Sequence, residues 1–189
     1  MAPTMISLFE KILLRIVETI GLALLLALTF AVIYATTMRY LGASPSWYDE
    51  LASVLLAWLT YFGATYAVFM RAHMGFGGLV TALPRGLAVA LTLVSECLVL
   101  AFFAVIAWFG YHVLAVAAYD SLLSLRWLTL DIVQSVIPVT AVLMIIGTLL
   151  TLPRALRNAA AGIDTDHAEI AHAIAEAEAE IRQDKDKSK

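Results

Sequence analysis

Residues 51–70 read LASVLLAWLTYFGATYAVFM, a stretch from Leu51 to Met70 without a charge, closed by Glu50 on one side and Arg71 on the other. At about 1.5 Å of rise per residue, a helix of this length is about 30 Å long, which matches the hydrocarbon core of a bilayer. Three further stretches have the same character. Thr19–Met38 lies between Glu18 and Arg39, and Ile132–Leu152 lies between Asp131 and Arg154. The third apolar run, from Leu87 to near Ala118, is interrupted by Glu96 and is longer than a bilayer requires, so its span is placed at 87–112 and the rest tilts or projects into water.

Composition supports the same solvent. Hydrophobic residues make up 62% of the 189 and charged residues 14%, with a mean hydropathy of +0.88. A soluble domain is nearer half apolar and a quarter charged. The expected fold class is therefore an all-α integral membrane protein with four transmembrane helices. Residues 1–157 form its membrane domain and 158–189 a soluble acidic tail. From Asn158 to Lys189 the chain carries eight acids against four bases, whereas the rest carries seven acids against eight bases. A basic nucleic-acid footprint is absent.

Orientation follows from the basic residues. Lys11, Arg15, Arg71, Arg85, Arg154 and Arg157 flank one set of span ends, and Arg39 and Arg126 the other. Six against two places both termini in the cytoplasm by the positive-inside rule. The opening residues show no cleavage motif before the first apolar run, which reads as a retained signal-anchor. Between Met5 and Glu18, Leu8, Ile12, Leu13, Ile16 and Val17 share one side, the pattern of a helical stretch lying in the membrane interface before the first span turns in. Tyr40, Trp47, Tyr48, Tyr111, Tyr119 and Trp127 fall near the outer boundary, where amphipathic rings prefer to sit. In the tail, Ile163, Ile170, Ile174 and Ile181 form one helical stripe, read either as a solvated helix that frays or as a short docking helix.

Several kinds of chemistry are excluded. Cys97 is the only cysteine, so no disulfide forms within the chain and no c-type haem motif exists. There is no Walker A loop, GxSxG or HExxH, and hence no catalytic constellation and no expected cofactor or metal. His73 follows the second span on the cytoplasmic side and His112, about 26 residues into the third helix, is near the outer face, which prevents them from ligating one haem. Glu96 remains. A carboxyl within a span is by default a functional hypothesis, here the coupling group of a small self-sufficient carrier. The competing reading is a hydrogen-bonded carboxyl at a helix contact, with Ser95 or Thr92 in reach.

The densest cluster is Arg39-Tyr40-Leu41-Gly42-Ala43-Ser44-Pro45-Ser46-Trp47-Tyr48-Asp49-Glu50. Gly42 and Pro45 make a turn. Ser46 and Asp49 have the spacing of a capping box, and Asp49 and Glu50 suit the first turn of a helix. Arg39 is placed to pair with one of them and hold two helices in register. Within the second span, Ala57, Gly63, Ala64 and Ala67 are small enough for close helix contact.

This cluster, with Trp58 and Gly63 in the second span, His73 after it, Leu83-Pro84 before the third and Pro138 in the fourth, resembles the small permease subunit of TRAP transporters, the tripartite ATP-independent periplasmic carriers (DctQ-like). The order and spacing hold over about 39–84. Asp49 stands where the family usually has glutamate, and Gly75, Gly77 and Gly78 fill a region where an acid commonly follows the histidine. The resemblance implies a non-enzymatic subunit of a bacterial inner-membrane complex. Its partners are a large permease (DctM-like) that carries the solute and sodium sites, a periplasmic solute-binding protein (DctP-like), and lipid. It also implies that Arg39, Trp47, Asp49, Glu50, Trp58, Gly63 and His73 serve subunit contact or structure, and that the solute is a carboxylate. A membrane-anchor subunit of an oxidoreductase is the remaining alternative.

Overall fold

The computed structural model describes residues 5–70 and 84–161, and among them regular structure is almost wholly helical. Helix α1 is Met5–Tyr40, α2 Tyr48–Phe69, α3 Arg85–Ala117, α4 the short Leu130–Gln134, and α5 Val136–Ala161. Four stretches are long and apolar enough to cross a membrane: Leu8–Tyr40, Tyr48–Phe69, Arg85–Ala117 and Leu130–Ala161. Three of the expected spans fall within them, and the second, 51–70, does so except for Met70, which caps its helix. Both the histidine at 73 and the acidic tail beyond Ala161 lie outside the described residues.

Two boundaries differ from expectation for physical reasons. The stretch Met5–Glu18 does not turn before the first span but runs unbroken into it as part of α1. Glu10, Lys11, Arg15 and Glu18 are all good helix formers, so the change from amphipathic to wholly apolar sequence leaves the backbone undisturbed. The fourth span, expected as one helix, is interrupted at Ser135. Pro138 lacks the N–H that would reach the Gln134 carbonyl, and its ring crowds that carbonyl. Ser135 eases the step, its N–H donating to Asp131 O at 2.9 Å and its hydroxyl to Ile132 O at 2.7 Å. Pro153, by contrast, sits inside α5 without ending it.

The helices turn their apolar side chains outward. Phe30, Leu98, Trp108 and Val116 are each 65–72% exposed, a pattern that only lipid or a protein neighbour makes stable. Polar groups are handled in the opposite way. Thr65 and Thr140 are fully buried, and each donates its hydroxyl to a carbonyl one turn back, Tyr61 O at 2.9 Å and Val136 O at 2.6 Å. This i−4 bond satisfies a hydroxyl where no water reaches.

The chain divides into two compact units, Met1–Arg71 with Val99–Leu150, and Ala72–Leu98 with Thr151–Lys189. The core of the first gathers Val17, Phe62 and Val136, with Ile20, Leu24, Trp58, Tyr61, Tyr66, Ile137 and Leu143 packed against them. Among the described residues of the second, Ala88, Glu96, Thr151 and Ala159 are buried.

A close approach in the first unit occurs at Gly147 of α5. A Cβ there would stand 3.1 Å from the ring of Phe69, which is itself buried. Replacing Gly147 with valine should cost about 1–3 kcal/mol through overpacking. The thermal midpoint of the detergent-purified protein should fall accordingly, and Phe69→Leu in the same chain should recover part of the loss.

Candidate functional site

The first connection is shaped by the way α1 ends. Gly42 has φ of +80°, the left-handed conformation that a side chain would strain. Around it, Gly42 N–H donates to Arg39 O at 3.1 Å and Ala43 N–H to Met38 O at 2.9 Å. This pair of bonds is a Schellman closure, which satisfies carbonyls that a terminating helix leaves open. Pro45 follows, and α2 begins at Tyr48.

The expected capping box does not form. Trp47, not Ser46, occupies the cap position of α2, in a helical conformation with no side-chain cap bond. Trp47 stacks on Tyr34 of α1, with ring centroids 6.0 Å apart and planes at 23°. The helix starts one residue later than that box implies, and the Ser46 carbonyl accepts from the Ser124 hydroxyl at 3.3 Å.

Glu50 holds the centre of the site. Its Oε1 accepts the N–H of Leu123 at 3.1 Å, and its Oε2 accepts the N–H of Ser124 at 2.9 Å. Both amides belong to the connection after α3, which is folded on itself. Leu122 N–H donates to Leu128 O, Leu130 N–H to Asp120 O, and Ser121 and Thr129 form an isolated antiparallel bridge. The carboxylate thus joins the first turn of α2 to a small hairpin more than seventy residues away. A carboxylate accepting two N–H groups is a charge-assisted pairing, stronger than a neutral one.

Trp58 supplies the second link. Its indole N–H donates to the Val133 carbonyl at 2.9 Å, at the last turn of α4 just before the Ser135 interruption. The break caused by Pro138 therefore coincides with the place where α2 is tied to the fourth span. In this way the structure brings Trp47, Glu50 and Trp58 into a network spanning α1, α2, the hairpin and α4.

Other expected site residues stand apart. Arg39 is exposed and forms no ion pair with Asp49 or Glu50, because Glu50 is committed to the hairpin amides. Asp49 is exposed, and its carbonyl accepts from the Ser53 hydroxyl at 2.7 Å. Gly63 faces outward with nothing within 4 Å of where a Cβ would stand, so it makes no close contact among the described residues. Glu96 is 9% exposed, belongs to the other unit, and is not without a partner. Sequence reasoning missed Ser124, Tyr34, Val133 and Gly147. Only Gly147 carries a sequence signal, as a glycine inside an apolar span; the rest act through a backbone group or a tertiary contact.

Among the described residues, no group of three His, Cys, Asp or Glu side chains could hold a metal. The network binds backbone to side chain and fixes connections. It contains no nucleophile paired with a base.

Four helical stretches long and apolar enough to cross a membrane, with connections bonded to one another, define the class as a multi-span helical membrane protein. A family model described as "Tripartite ATP-independent periplasmic transporters, DctQ component" matches residues 28–158, and the chain belongs to that family. It is a transporter component and not an enzyme. No curated protein matches the chain individually. The matched stretch contains Glu50, Trp58 and the hairpin, and begins after Lys11 and Arg15.

Replacing Glu50 with glutamine keeps the side-chain shape but turns an NH2 group toward one of two N–H donors. Hydrogen exchange at the Leu123 and Ser124 amides should accelerate roughly ten-fold, the size expected for loss of one charge-assisted bond at a partly exposed site. Exchange across the middle of α2 should not change.

Proposed function

We propose that this chain is the small membrane subunit of a TRAP secondary transporter in a bacterial inner membrane, with both termini in the cytoplasm. It supports a DctM-like large permease that carries out ion-driven uptake, with sodium as the coupling ion and a carboxylate as the solute. A DctP-like periplasmic protein delivers that solute. The observation that carries this reading is the family match over residues 28–158. The count of basic residues at the span ends supports the orientation. In this arrangement the network of Glu50, Trp47 and Trp58 lies at the periplasmic side, where it holds the span ends rigid. Residues 1–157 constitute the scaffold, and the acidic tail is peripheral to it.

The outward face of α2 is the contact we assign to the large subunit. Leu56, Ala57, Thr60 and Gly63 are all exposed there, and small side chains let a neighbouring helix approach closely. Because Gly63 meets nothing among the described residues, a bulky residue separates the two roles. Gly63→Leu should leave the thermal midpoint of the isolated subunit unchanged and reduce copurification of the large subunit several-fold. Undiminished copurification would refute this contact.

Buried Glu96 favours a second reading, in which this chain transports by itself. The two readings part in reconstituted vesicles. The chain alone should show no solute uptake, and Glu96→Gln in the assembled complex should retain most of it. Uptake by the isolated chain, abolished by that substitution, would establish the carrier.

A further inference from the structure

We propose that the hairpin between α3 and α4 lies flat in the headgroup layer of the bilayer, with Leu123 and Trp127 dipping into its apolar margin. The partner of this surface is the lipid interface itself. The inference rests on the four spans crossing a membrane, and it holds for either orientation of the chain and for any assembly it joins.

Two hydrogen-bonded ties fix the depth of the hairpin. The uncharged run 51–70 is about 30 Å long as a helix, so Glu50, immediately before it, marks one edge of the hydrocarbon. Its carboxylate accepts the Leu123 and Ser124 amides at 3.1 and 2.9 Å, which keeps the tip at that edge. Asp131, immediately before the uncharged run 132–152, marks the same edge at the fourth span. Beside it, Leu130 N–H donates to Asp120 O at 2.9 Å, which keeps the base of the hairpin there too. Standing upright on that base, an extended strand would carry Ser124 up to about 13 Å beyond the edge. The Glu50 bonds hold it instead within the reach of one side chain. The interfacial layer is about 5–7 Å deep on each side of the hydrocarbon, and a hairpin tied at both base and tip runs along it.

The side chains agree with that depth. Leu122, Leu125 and Leu128 are half-buried, whereas Leu123 and Trp127 are 89% and 77% exposed. A leucine and a tryptophan held out on a connection are unfavourable in water, and the interface accepts both, with the indole N–H left toward the headgroups. Arg126, next to Trp127, is exposed, and at this depth its guanidinium stays among phosphates while its stem stays apolar. Residues 118–129 carry one acid, Asp120, and one base, Arg126. The attraction is therefore apolar and requires no anionic lipid.

The test uses the full chain reconstituted into phosphatidylcholine vesicles and carrying one nitroxide, attached through Leu123→Cys or Trp127→Cys, each combined with Cys97→Ser. The native Cys97, exposed on α3 about 18 Å beyond Arg85, carries the label that serves as reference inside the hydrocarbon. A dissolved nitroxide is the reference for water. Collision with oxygen, relative to collision with a water-soluble nickel chelate, should be several-fold higher at both hairpin positions than for the dissolved nitroxide, and lower than at Cys97. A ratio equal to that in water would overturn the proposal. Protection from both reagents would overturn it as well, because protein would then cover the tip. The unlabelled chain gives an independent reading should a label disturb the hairpin. The part of the tryptophan emission that is lost in Trp127→Phe should be quenched more by lipid brominated near the headgroup than by lipid brominated near the chain ends, and little by iodide in the water. Quenching chiefly by iodide would place the ring in water and sink the assignment.

Discussion

A backbone carbonyl or amide in hydrocarbon has no water to bind, and most of this structure answers that constraint. It makes the spans helical, since only a helix satisfies its own backbone within one segment. It also explains the buried threonines, whose hydroxyls turn back onto the preceding turn. Where a helix fails, another group takes over the duty. At the end of α1 the Schellman bonds close the open carbonyls. Near Pro138 the Ser135 hydroxyl and the Trp58 indole each bond a carbonyl of the last turn of α4. After α3 the Glu50 carboxylate takes two amides at once.

The same accounting separates what was legible in the sequence from what was not. Span positions were legible because lipid demands a long, charge-free run, and a run is visible in one dimension. The family pattern singled out Glu50 and Trp58, but not their partners. Leu123 and Ser124 contribute main-chain N–H groups, which every residue except proline possesses, so nothing in the sequence marks them. Arg39 misled for a related reason. Opposite charges near one connection suggest a pair, yet a carboxylate can meet its need with amides and leave the cation in water. Glycines show the same limit: Gly63 faces outward, whereas Gly147 meets Phe69. Which face of a helix turns inward depends on all its neighbours.

The exposed apolar surface has a functional sense within a multi-subunit transporter. Under the proposed supporting role, the chain needs no polar path through its spans, only a stable shape and faces for lipid and for other subunits. The described residues fit that division. The bonds that Glu50, Trp58 and Ser124 make to other elements reach helix ends and connections, while threonines along the helix sides turn their hydroxyls back onto their own helix. Buried Glu96 is a carboxyl engaged within a span.

A grip on main-chain amides is blind to the side chains those amides carry. Position 123 can therefore exchange residues freely over evolutionary time, proline excepted, and stay fastened to α2, whereas position 124 also lends its hydroxyl to the Ser46 carbonyl. The hairpin becomes a mounting whose decoration is replaceable. One helical frame could then offer different tips to different neighbours, with the frame itself needing no redesign.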